Sequence, residues 1–158
     1  MTFRSEGTRR RGMLTAYAPL FIWIALIFFM SSDQGSMPAT SRFIRPLLEF
    51  FFPASSEDTL QFYHFLIRKA AHFSAYALLG LLAARALLFS NSSRRWPCLT
   101  FAIVLIVASL DELNQSFSSA RSGSPYDVLI DCVGGLFAIA AVWLYMRNGT
   151  KGANTLPA

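Results

Sequence analysis

Late in the chain, residues 109–131 carry Asp111, Glu112, Gln115, Arg121, Asp127 and Asp131 between two apolar runs. Helical spacing sorts them into faces. Glu112 and Gln115 (i, i+3) share one, Asp127 and Asp131 (i, i+4) share another, and Arg121 sits in the turn between. An earlier set, Lys69, His72 and Tyr76, falls at i, i+3 and i+7, again one helical face. These are residue types that do chemistry together. A histidine beside carboxylates can move a proton near neutral pH, and lysine and arginine can hold an anion, arginine with two prongs.

The roles follow from type. His72, Glu112 and Asp127 are the catalytic candidates, with His72 as general acid or base oriented by Glu112 or Asp127. Lys69, Tyr76, Gln115, Arg121 and Asp131 are the substrate-binding candidates, Lys69 and Arg121 for an anionic group. The plainer alternative is mutual ion pairing, because the cations and carboxylates nearly balance. His72 is the residue that pairing alone does not call for. His64 is expected above the bilayer as a solvated helix residue, and Arg68, Asp111 and Asn114 at the rim or in solvent.

The elements that must position these residues are apolar. The 158 residues are 54% hydrophobic and 15% charged, with a mean hydropathy of +0.42, which excludes an ordinary soluble domain. Four runs are long enough to span a bilayer: Leu14 to Met30, Phe73 to Phe89, Cys98 to Leu110 with its flanks, and Val128 to Met146. The expected fold is an all-α integral membrane protein, a bundle of four transmembrane helices with an interfacial or re-entrant segment, Ser41 to Pro53, after the first. Residues 1–12 read as a cytoplasmic basic N-terminus, 13–147 as one domain and 148–158 as a disordered cytoplasmic tail.

Charge sets the expected orientation. With both termini inside, nine Lys and Arg residues lie on the cytoplasmic side and five on the other, the bias of a cytoplasmic-membrane protein. The three clusters then meet at the outer ends of their spans. No Ala-x-Ala cleavage site follows Met30, so the first run reads as an uncleaved span. The basic excess lies beside apolar runs, so no nucleic-acid partner is expected, and the oligomeric state is left open. Cys98 and Cys132 fall in different spans at opposite depths, which argues against a disulfide, and no spacing suggests zinc.

The ordered combination of Lys69, His72 and Tyr76, then Asp111, Glu112 and Gln115, then Arg121, then Asp127 and Gly134 resembles the VanZ-like family of bacterial membrane proteins. In that family's pattern the position of Asp131 is usually asparagine. The resemblance covers about Arg68 to Leu136. It implies a small protein of the bacterial inner membrane and, through the family's namesake, a link to resistance against the glycopeptide teicoplanin. It implies no settled reaction.

Helical packing is expected to bring the clusters into one polar pocket opening outward, and four uses of it stay open at this level. The first is an enzyme acting at the outer leaflet on an anionic lipid-linked or cell-envelope substrate. The second is a protein that binds or shields a lipid or glycopeptide without chemistry. The third is a divalent-metal site made from His72, Glu112, Asp127 and Asp131, against which Lys69 and Arg121 argue, so no metal or other cofactor is expected. The fourth, a small transporter, is disfavoured because the first span carries no acid and the cluster sits at one end of the bundle.

Overall fold

A computed structural model describes residues 3–32, 37–90, 94–117 and 123–153, with side chains described for 12–32, 40–90, 94–117 and 123–148. These residues form five helices: α1 (Phe3–Ser31), α2 (Met37–Phe51), α3 (Glu57–Ser90), α4 (Trp96–Ser116) and α5 (Pro125–Ala153). Four contain stretches long and apolar enough to cross a membrane, Gly12–Ser31, Glu57–Ser90, Trp96–Ser116 and Pro125–Asn148. The chain is therefore an all-α, membrane-type bundle. The α5 helix runs six residues past Arg147, so Asn148–Ala153 is helical where a disordered tail was expected.

The α3 helix is the hub: it packs against α1, α2, α4 and α5, whereas among the described residues α2 packs against α3 alone. At 34 residues it is ~50 Å long at 1.5 Å per residue, well over the hydrocarbon core. Its start is capped by Ser56, whose Oγ accepts a hydrogen bond from the Thr59 N–H at 3.3 Å. Pro97 lies in the first turn of α4, where a missing N–H costs nothing.

The core is a stripe on each of α1, α3 and α4. Leu20 and Ile27 of α1 meet Tyr76, Leu79, Ala83 and Ala86 of α3 and Val104, Val107 and Ala108 of α4. In hydrocarbon there is little hydrophobic drive between helices, so close contact between small residues has to bring them together. A Cβ added at Gly80 would lie 2.9 Å from Ala138 Cβ, and one at Gly135 would lie 2.6 Å from Val104 Cγ1. Gly134 meets the backbone of Phe73 in the same way. These contacts fix the height and rotation of α5 against α3 and α4. Trp23 Nε1 adds a bond from α1 to Ala75 O of α3, at 2.9 Å.

The segment after the first span is an amphipathic helix rather than a bare loop. Thr40, Ile44 and Leu48 (i, i+4, i+8) turn towards the bundle, while Phe43, Leu47, Phe50 and Phe51 are exposed. Arg45 Nη2 reaches Glu57 at the start of α3 (2.7 Å) and its Nε reaches Glu49 (2.8 Å).

Candidate functional site

The inward stripe of each long helix changes character at one end. In α4, Thr100, Val104, Val107 and Ala108 continue without a break into Asp111, Glu112 and Gln115, all buried. In α5, Asp127 and Asp131 precede Gly134, Gly135 and Ala138 on the buried side. The glycine contacts that seat α5 therefore also press its two aspartates against α3.

Two polar contacts cross that seam. Lys69 Nζ binds Asp127 Oδ1, and His72 Nδ1 stands 3.2 Å from Asp131 Oδ1. Asp131 is fully buried. The partner of His72 is thus Asp131, not Glu112 or Asp127, and Asp127 belongs to Lys69. Glu112 bonds elsewhere. Its Oε2 accepts the Ser124 N–H at 2.5 Å, which holds the entry to α5. Its Oε1 is buried without a hydrogen-bond partner among the described residues, as are Asp111 Oδ1 and Asp131 Oδ2.

A second chain of contacts runs through α3 and α4. Tyr76 OH donates to Asp111 Oδ2 at 3.0 Å, Gln115 Nε2 donates to the same oxygen at 3.2 Å, and Arg68 Nη2 reaches Gln115 Oε1 at 3.4 Å. Asp111 is 2% exposed, so it sits at the centre of the network and not at a rim. Its sequence signal was the buried stripe itself, seven residues beyond Val104.

Between α1, α2, α3 and α4 lies a cavity of about 260 Å³. Ile27, Met30, Ile44, Ile67, Ala71 and Ala75 give it apolar walls, and Arg68, His72, Tyr76, Asp111 and Gln115 give it a polar side. His64 also lines it. The side chain is buried and its Nε2 lies 3.4 Å from Thr40 Oγ1 of α2, so the expectation of a solvated His64 is corrected. The α2 helix covers it, which no pattern within α3 could reveal. Asn114 is exposed, as expected.

The site thus gathers Lys69, His72, Tyr76, Glu112, Gln115, Asp127 and Asp131, together with Arg68 and Asp111, at one end of the bundle. Arg121 lies outside the described residues. Its assignment to an anion therefore has no geometry behind it. Arg68 is the cation seen on the cavity wall.

Five helices with four membrane-length apolar stretches, and a buried polar cluster shared by three of them, define an integral membrane protein. A family model described as VanZ/LLP1 matches residues 16–146, most of the chain, and the protein belongs to that family. Comparison with curated proteins and with solved structures gives no match.

Proposed function

We propose that this protein holds the anionic head of a lipid-linked or cell-envelope amphiphile at the outer face of the bacterial inner membrane. The observation that carries the reading is the cavity: apolar walls of tail-accepting character end at a polar side that includes a cation, Arg68. An amphiphile has that division of chemistry, a tail for the apolar walls and an anionic head for Arg68. Lys69, next along α3, adds charge at the same end, although Asp127 neutralises most of it.

The outward orientation rests on the basic residues: Arg85, Arg94, Arg95 and Arg147 mark the opposite end, which the positive-inside bias assigns to the cytoplasm together with both termini. An amphiphile approaching from the outer leaflet would meet α2 first. Its exposed Phe43, Leu47 and Phe50 suit the interface, and its bundle-facing side forms part of the cavity. His72, held by Asp131, is the group positioned to process the bound head. A lipid-linked envelope intermediate and the acylated glycopeptide suggested by the family's namesake share this head-and-tail chemistry.

The test is the lipid that travels with the protein. Wild type purified in mild detergent and analysed by mass spectrometry is expected to retain an anionic amphiphile enriched several-fold over the bulk membrane. Arg68→Ala should lose the anionic selectivity, and Ala71→Phe, which fills the cavity, should lose the amphiphile altogether. Retained lipid that mirrors the bulk composition in all three would overturn the reading. His72→Gln separates the two uses of the site: conversion of the bound amphiphile that stops in the variant, with retention unchanged, marks an enzyme, and retention without conversion in either marks a holding protein.

A further inference from the structure

Among the described residues, the cations at the polar end do not face every carboxylate, as a case against a metal would require. Lys69 is taken by Asp127, a buried acid, and Arg68 points to the neutral amide of Gln115. That leaves His72 and the carboxylates of Asp111, Glu112 and Asp131, of which Asp111 already accepts hydrogen bonds from Tyr76 and Gln115. A ring nitrogen of His72 and one carboxylate oxygen from each of Glu112 and Asp131 lie within 4.8 Å of one another. Two ligands with bonds of about 2.1 Å to one ion stand no more than ~4.2 Å apart, so small side-chain rotations would close the set.

Two further observations point to an absent partner. Glu112 is 6% exposed and Asp131 fully buried, and each keeps one oxygen with no hydrogen-bond partner among the described residues. A buried carboxylate oxygen without a hydrogen-bond partner is unfavourable, more so when charged, and a bound cation would satisfy it. The ion pairing agrees: among the described residues Asp127 has Lys69 beside it, whereas Asp111, Glu112 and Asp131 have no lysine or arginine within ion-pair distance.

We propose that His72, Glu112 and Asp131 bind a single divalent transition-metal ion of the zinc or manganese kind, with one imidazole and two carboxylates as its protein ligands. Three protein ligands leave a coordination position open, the arrangement of metal sites that act on a substrate rather than of purely structural ones. The helices supply the geometry: His72 comes from α3, Glu112 from α4 and Asp131 from α5, so the ion ties together the three helices with the closest mutual packing. His72 also lines the cavity, which sets the ion beside the space where an amphiphile's head would lie. The assignment stands on its own geometry and does not require that amphiphile.

The test uses the full-length protein purified without chelator. Elemental analysis by plasma mass spectrometry should find close to one zinc, manganese or iron per chain. After chelation and buffer exchange, added Zn2+ or Mn2+ should rebind at one site and raise the thermal midpoint by several degrees. Glu112→Gln and Asp131→Asn should weaken rebinding at least tenfold and abolish the shift, whereas Asp58→Asn, on an exposed acid at the start of α3, should behave as wild type. Loss of folding in a variant is recognised by gel filtration and circular dichroism, and His72→Gln then serves in its place. Metal content well below one per chain that added ions do not restore overturns the proposal, and so does binding that all three ligand variants leave unchanged. Lipid retention measured on the same samples separates the two readings: metal without selective lipid removes only the amphiphile, and selective lipid without metal removes only the ion.

Discussion

At the residue scale the polar end is a set of pairs, each with a distinct consequence. Lys69 and Asp127 form a contact that is largely shielded from solvent, with the aspartate 4% exposed. Breaking such a pair leaves a buried charge, which costs about 3–5 kcal/mol. Lys69→Met is therefore expected to destabilise the protein by roughly that amount, read as a fall in the thermal midpoint in detergent, and Lys69→Met with Asp127→Leu should recover most of it. A smaller loss belongs to Tyr76→Phe. Asp111 keeps its bond from Gln115, so the expected cost is only about 1 kcal/mol. A collapse of the fold in Tyr76→Phe would show that this hydroxyl carries the whole network.

At the element scale, α5 decides the site. Gly80 faces Ala138 and Gly135 faces Val104 at distances that leave no room for a methyl group. Overpacking at such a place costs about 1–3 kcal/mol. Gly135→Val is expected to lower the midpoint, and because it pushes the middle of α5 away from α4 it should also weaken metal rebinding, although it touches no ligand. Gly80→Ala should be milder, and Ala138→Gly on the same chain should recover part of its loss. Equal stability of Gly135→Val and wild type would mean that α5 is not seated by these contacts. The α1 helix is held differently, by packing and the Trp23 bond to Ala75. Trp23→Phe should cost about 0.6 kcal/mol, the usual worth of a hydrogen bond between membrane helices, without altering the polar end.

At the scale of the whole molecule the direction in which the bundle faces decides which side of the membrane the site serves. The proposed orientation sets Glu57 outside and Arg94 inside. On a Cys98→Ser background, Glu57→Cys should react with a membrane-impermeant maleimide in intact spheroplasts, and Arg94→Cys only after permeabilisation. Both positions are exposed, so failure to label cannot be blamed on burial. The reverse pattern would put the site in the cytoplasm, and an outer-leaflet substrate would be ruled out.

The four spans, the helical class and the grouping of Lys69, His72, Glu112, Gln115, Asp127 and Asp131 were legible in the chain, and the segment after the first span was legible as too short to span, though not as an amphipathic helix. Each depends on composition or on periodicity within a single helix, and both are local. Partner choice was not legible. Spacing puts Asp127 and Asp131 on one face with equal claim to His72. Only the seating of α5, set by Gly134 and Gly135 against Phe73 and Val104, brings Asp131 to the histidine and Asp127 to the lysine. The burial of His64 under α2 and of Asp111 behind Tyr76 and Gln115 has the same origin. Periodicity fixes which way a side chain leaves its own helix, but the relative height and rotation of two packed helices depend on contacts between residues far apart in sequence.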